Sequence, residues 1–185
     1  MRKLVITENI TVDGVIEATD DWFSPADDGV ARSDVVEVLA VQRAAADGFL
    51  VGRQTFTDMR GYWPLQTADT TGIGEYLDTV AKYVVSSTLE DPEWDNSTVL
   101  RGDPVEDVRA LKALPGTDIV STGSITLVRA LIAAGVVDEY RLFVYPVVLG
   151  HGERLFAAAT DVPPLRLADV RPFRSGVVLL TYTPV

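Results

Sequence analysis

A chain of 185 residues that is 47% hydrophobic, with 23% charged residues and a formal net charge of -11, holds enough apolar material for a full core and reads as one domain over residues 1–185. With no cysteine and a single histidine, His151, it excludes disulfides, thiolate nucleophiles, cysteine-ligated metals and multi-histidine metal centres. The acidic balance carries no Lys/Arg cluster and argues against nucleic acid as a partner, while the absence of any long apolar run argues against a membrane partner and for the cytoplasm.

The β-branched run Lys3 to Glu8 predicts a strand, followed by a turn at Asp13-Gly14 and a polar loop from Thr19 to Asp28. Ser33 predicts the start of a helix through Ala46, with Val35, Val38 and Leu39 on one side and Asp47-Gly48 as its stop. A strand from Phe49 to Val51 then breaks at Gly52-Arg53-Gln54-Thr55, where backbone N–H groups are expected to be unpaired and able to meet a phosphate. Beyond a loop with Trp63-Pro64, KYVVSS (Lys82 to Ser87) and STVL (Ser97 to Leu100) are further strands.

Asp103-Pro104-Val105-Glu106 is a helix start, with an N-cap acid, proline at the first position and an acid placed to close a capping box. Thr117 to Val120 is a short strand leading into Ser121-Thr122-Gly123-Ser124, and the helix after it aligns Leu127, Val128, Leu131 and Ile132 before Gly135 stops it. The remainder turns to β: Glu139 to Leu149, Leu165 to Phe173 and Val177 to Thr183, the last two joined as a hairpin at Ser175-Gly176. The order predicts an α/β fold, a mixed and mostly parallel sheet with helices on both faces and an antiparallel C-terminal hairpin.

Three of these strands end in Gly52-Arg53-Gln54-Thr55, Ser86-Ser87-Thr88 and Ser121-Thr122-Gly123-Ser124. If the strands are parallel, the three groups share one carboxyl edge, where hydroxyls, an arginine and helix N-termini suit a ligand with several phosphates. Neither G-x-G-x-x-G nor G-x-x-x-x-G-K-[ST] is present, so a nucleotide here is not held by either of those loops.

In their order and spacing, TVDGVI (Thr11 to Ile16), VGRQTF (Val51 to Phe56), KYVVSSTL (Lys82 to Leu89), STGSITLVRAL (Ser121 to Leu131) and VVDEYRLFVYPVVLGHGERLF (Val136 to Phe156) resemble the dihydrofolate reductase superfamily. The resemblance is to the branch that contains the reductase domain of riboflavin biosynthesis and its stand-alone bacterial relatives. It implies a sheet of about eight strands that binds NADPH. By the same resemblance Gly52, Arg53 and Thr55 contact the cofactor's phosphates, Ser86 and Ser87 lie beside the adenosine ribose, and Thr122, Gly123 and Ser124 form the glycine turn at the pyrophosphate and nicotinamide, strained or cis in many relatives.

Hydride transfer leaves the protein to orient the reactants and supply a proton. Trp22-Phe23-Ser24-Pro25-Ala26-Asp27 looks like the W-x-x-P-x-[DE] segment of the folate enzymes, which makes Asp27 the candidate catalytic acid and Trp22 a substrate contact; Tyr145, where those enzymes carry a threonine nearby, is the second contact. The spacing departs from theirs: their interval from the Gly-Arg motif lands near Val36, between Asp34 and Glu37, and Gly29 would disrupt a helix starting at Pro25. The expected function is therefore an NADPH-dependent reductase of a small pterin- or ribosylaminopyrimidine-like heterocycle rather than of folate, with a non-catalytic NADPH- or small-ligand-binding protein as the alternative. The zinc-deaminase signature H-x-E with P-C-x-x-C is absent, and no metal is expected. The resemblance and the β-rich stretch from Val136 to Val185 also predict a homodimer.

Overall fold

The computed structural model describes residues 1–19, 22–23, 32–156 and 162–185. In chain order they form β1 (Leu4–Thr11), α1 (Ser33–Ala44), β2 (Ala46–Gly52), α2 (Arg53–Tyr62), a 3-10 turn (Trp63–Leu65), α3 (Ile73–Thr79), β3 (Ala81–Val85), β4 (Ser97–Leu100), α4 (Pro104–Ala113), β5 (Asp118–Ser121), α5 (Ile125–Ala133), β6 (Glu139–Tyr145), β7 (Leu165–Pro172) and β8 (Val178–Pro184). Among the described residues the strands make one eight-stranded sheet in the order β4-β3-β2-β5-β1-β6-β8-β7. The pairings from β4 across to β6 are parallel, and β8 runs antiparallel to both β6 and β7. No described helix is long and apolar enough to cross a membrane.

Alternation along each strand sorts the helices onto two faces. Leu4, Ile6 and Ile10 of β1 pack with Val108 and Leu111 of α4 and with Leu127, Val128, Leu131 and Ile132 of α5. On the other face Phe49 and Val51 of β2 meet Phe56 of α2 and Leu77 of α3, and Phe143 of β6 meets Val38 of α1. The expected two-sided α/β sheet is therefore the observed one.

Several boundaries differ from expectation for local reasons. The first strand runs on to Thr11, which places Glu8 inside β1 instead of at its end. The first helix stops at Ala44, and Asp47-Gly48 belongs to β2, where the register against β5 shifts in a bulge. The Asp47 carboxylate pairs with the buried Arg2, and Gly48 leaves the room: a Cβ there would stand 2.7 Å from the Arg2 guanidinium. β6 ends at Tyr145, directly before Pro146, which has no N–H to give a ladder. Asp103 caps α4 through the amides of Val105 and Glu106, but Glu106 reaches forward to Arg109 at 2.5 Å instead of back to close a capping box. The seven-residue α3 escaped sequence patterning because, at about two turns, it is shorter than the stretch of roughly 11–18 residues over which helical periodicity can be read.

Candidate functional site

Register brings the strand ends together. Gly52 lies opposite Val85, and Leu50 opposite Ser121, so the segments that follow β2, β3 and β5 leave one carboxyl edge of the sheet side by side. Two of them turn straight into α2 and α5. Neither helix has a side-chain N-cap or an acid in its first turn, so the positive ends of both dipoles are left without a neutralising group. Losing a cap costs about 1 kcal/mol. Burying the apolar stripe Leu127, Val128, Leu131 and Ile132 of α5 outweighs that, at about 1.5–3 kcal/mol for each fully buried side chain.

The Gly52 amide, expected to be unpaired, is not. It donates to Ser124 Oγ at 2.8 Å, while the Ser124 amide donates to Thr55 Oγ1 at 3.0 Å. These bonds clasp the two strand-to-helix corners across some seventy residues of chain and leave the first-turn amides of α2 and α5 as the donors available to a ligand. Gly123 and Ser124 are both left-handed, with φ of 59° and 51°, and no cis peptide bond occurs among the described residues. At Gly123 the left-handed φ already disfavours a side chain, and a Cβ there would also press on the Thr55 side chain at 3.3 Å. The Gly123 amide donates to Oε2 of Glu8 at 3.1 Å.

Beside this clasp lies a hollow of about 340 Å³ whose wall includes Arg53, Ser87, Thr88, Arg101 and Gly102. Arg53, Ser87, Thr88 and Arg101 are exposed, whereas Ser86 is buried and its Oγ accepts the amides of Thr88 (3.2 Å) and Leu89 (2.9 Å). Ser86 therefore shapes the loop, and the exposed Ser87 and Thr88 line the hollow. Arg101 also braces this loop, donating to the Leu89 carbonyl at 2.6 Å. A larger hollow, about 560 Å³ and lined in part by Arg43, Asp47 and Tyr76, sits at the opposite end of β2, away from the clasp.

A third wall is aromatic. Trp22 stands edge-on to Tyr145, with ring centroids 5.4 Å apart, and to Phe23 at 5.3 Å, and its indole N–H donates to the Glu17 carbonyl at 2.8 Å. Tyr145 lies opposite Thr11 at the same carboxyl end of β1 and β6, and burial pushes its hydroxyl pKa up, partly offset by the Arg32 charge. The two expected substrate contacts are thus brought into one place. Asp27, the candidate acid, lies outside the described residues. Trp63 packs beside Tyr62 and against the Phe49–Phe56 core. His151 is an exposed turn residue between left-handed Gly150 and Gly152.

The Asp13 of the first-loop Asp-Gly pair is structural. Its carboxylate accepts the Thr11 hydroxyl (2.7 Å) and the amides of Gly150 (2.9 Å) and Leu149 (3.2 Å), tying the loop after β1 to the loop after β6. The Thr11 hydroxyl, followed by those amides, holds its pKa well below the usual carboxylate range.

Sequence reasoning missed Glu8 and Arg101. An acid interrupting the apolar alternation of Leu4, Ile6 and Ile10 was the signal for the first, and the end of a fourth parallel strand, β4, was the signal for the second.

The RibD C-terminal domain model matches residues 2–179. The uncharacterized protein YyaP of Bacillus subtilis (strain 168) is 32% identical over 187 residues, which cover 98% of this chain and 94% of YyaP. Among solved structures, a diaminohydroxyphosphoribosylaminopyrimidine deaminase/5-amino-6-(5-phosphoribosylamino)uracil reductase of Thermotoga maritima has a TM-score of 0.64 at 17% identity, covering 100% of this chain and 57% of that one. Dihydrofolate reductase of Enterococcus faecalis, in complex with NADP(H) and RAB-propyl, has a TM-score of 0.63 at 17% identity over 98% of this chain and 95% of that one. At these identities the likeness establishes a dihydrofolate reductase-like fold.

Proposed function

We propose, for a chain that belongs to the RibD C-terminal domain family, that it is an NADPH-dependent reductase of a small planar heterocycle. The observation that carries this reading is the clasped Gly52–Ser124 corner, which sets two uncapped helix N-termini beside a hollow flanked by two guanidinium groups. A dinucleotide phosphate fits such an edge: first-turn amides of α2 and α5 receive the pyrophosphate, and Gly123 lets the cofactor approach without a side chain between. Arg53 and Arg101, with the Ser87 and Thr88 hydroxyls, suit a 2′-phosphate and hence NADPH over NADH. When bound, NADPH supplies the hydride.

The substrate end belongs to Trp22 and Tyr145, whose rings suit a flat heteroaromatic ligand, with Asp27 as the proton donor. A pterin or a ribosylaminopyrimidine is the substrate class we favour; the reductase named in the Thermotoga relative acts within it. The exposed outer edge of β7, where Leu167 and Val170 are about half exposed, is our choice for pairing with a second copy. Residues 1–185 would act as a single cytoplasmic domain in such a homodimer, and light scattering should report twice the chain mass.

The first test is tryptophan fluorescence titrated with NADPH and, separately, NADH. Saturable binding that prefers NADPH supports the reading, and no saturable binding of either removes it. NADPH oxidation against pterin and ribosylaminopyrimidine panels then separates a reductase from a protein that only binds the cofactor.

A further inference from the structure

The wall of the cradle holds a carboxyl group that none of these roles uses. Glu8 sits inside β1 between Ile6 and Ile10, on the face that packs against α4 and α5, and is 4% exposed. One carboxyl oxygen accepts the Gly123 amide; the other, Oε1, is buried with no partner among the described residues. On the neighbouring strand Ser121 lies opposite Ile6, one rung from Glu8 on the same face, and its Oγ is likewise buried and unpartnered. An unmade hydrogen bond at a buried polar atom costs about 1–3 kcal/mol, so two such atoms beneath the glycine turn are an expensive arrangement for packing alone.

The charges on the surrounding elements are engaged elsewhere. Just before β1, Arg2 and Lys3 pair with Asp47 and Glu139. On β6 Arg141, opposite Thr7, points to the other face and pairs with Glu139 and Asp118, while Tyr140, on the Glu8 face, is kept neutral by burial that pushes its hydroxyl up to about 12. On α4 Lys112 pairs with Asp138 and Arg109 with Glu106; on α5 Arg129 pairs with Glu153. In the loops closing this end, Arg154 pairs with Asp13, and Glu17 accepts the Glu153 amide. Arg53, at the start of α2, is exposed. Burial therefore dominates at Glu8 and raises its pKa well above the usual carboxylate range, against a smaller opposing effect of the Gly123 amide.

We propose that Glu8 is a proton-carrying positioning residue of the cradle: as a neutral acid it holds the Gly123–Ser124 turn, and its ionisation opposes the pyrophosphate of a dinucleotide at that turn. This rests on the cofactor reading above. An ionised Glu8 would place an uncompensated negative charge directly behind the Gly123 amide and the α5 N-terminus, on the positive potential that the anionic ligand needs. The cofactor therefore favours the protonated chain, and between the midpoint of the free carboxyl and the higher midpoint of the bound form its binding takes up a proton. One linked proton makes affinity fall by up to about tenfold per pH unit there.

The experiment is isothermal titration calorimetry at a series of pH values from about 5 to about 10 with NADH, which lacks the 2′-phosphate that titrates near neutrality, and with NADPH above about pH 8, where its 2′-phosphate is fully ionised. Each titration is run in two buffers of different ionisation enthalpy. Net proton uptake by the wild-type chain over part of that pH series is the expected result. Glu8→Gln, a neutral isostere of the acid, should show no uptake and an affinity that no longer falls with pH. Binding without uptake at every pH of the series in the wild type overturns the inference, as does uptake that persists in Glu8→Gln; if that variant fails to fold, the wild-type titrations decide. No saturable binding of either cofactor removes the cofactor reading and this inference with it, whereas binding without uptake removes this inference alone.

Discussion

The two corners of the cradle are built on opposite principles. Around Gly52, Thr55, Gly123 and Ser124 the amides and hydroxyls bond to one another, the backbone is left-handed at two consecutive residues, and a single added Cβ would press on Thr55. Around Arg53, Ser87, Thr88 and Arg101 the side chains are exposed, and Arg101 alone is seen bracing its loop. The first corner is specified by geometry and the second by charge. A ligand at the clasp meets a shape fixed in advance, and one at the guanidiniums meets side chains that must settle around it and are screened by salt.

The way to break the geometric side of this contrast, and the one that should weaken both cofactors together, is Gly123→Ala. A left-handed L-residue costs about 1–2 kcal/mol, and the 3.3 Å approach to Thr55 adds to it. Both NADPH and NADH should lose about tenfold or more in affinity, and the melting temperature should fall. Gly52→Ala is the sharpening control: its backbone is extended, with φ of -79°, and a Cβ would meet Ser124 at an ordinary 3.6 Å. Thermal melts should separate the two glycine variants clearly, and equal losses would refute the geometric account of the clasp.

At the charged corner, Arg53→Ala and Arg101→Ala should each weaken NADPH by about 1.5–3 kcal/mol at low salt, the scale of a hydrogen bond to a charged group. NADH should change little, and the NADPH deficit should shrink as salt is added. A deficit shared equally by the two cofactors would show that the guanidiniums do not read a 2′-phosphate.

A smaller effect is expected from Ser124→Ala, which removes the acceptor of the Gly52 amide but leaves the amide at the cradle edge. A stability loss of about 0.5–1.5 kcal/mol in urea unfolding is the usual scale for one such bond. The smallest effect at neutral pH is expected from Asp13→Asn, which keeps the shape of the loop tie. Because the folded Asp13 pKa is depressed, its contribution is present above the unfolded value and is lost as pH falls below the ordinary carboxylate range. Glu8 has the opposite sign: its pKa is raised, so its contribution is full at low pH and is lost as pH rises through the folded value. Melts across pH should show the acid limb flattened in Asp13→Asn and the alkaline limb flattened in Glu8→Gln.

Much of this was legible in the chain. Local pattern located the strand breaks at Gly52, Ser86 and Thr122, the Asp103 cap, the apolar stripe after Ser124 and the closing hairpin, because each depends on neighbours a few residues apart. The parallel edge that gathers those breaks follows from alternating strands and helices.

Only the tertiary structure decided what each group does there. Gly52 finds its partner at Ser124, Thr55 also at Ser124, and Glu8 at Gly123, across separations of 72, 69 and 115 residues that no local pattern encodes. The inward turn of Ser86 and the meeting of Trp22 with Tyr145 depend in the same way on which elements the sheet order makes neighbours. A carboxylate reads from sequence as a solvated charge. Whether Glu8 is solvated or buried beneath a glycine turn depends on what the strand is packed against, and packing belongs to the folded chain as a whole.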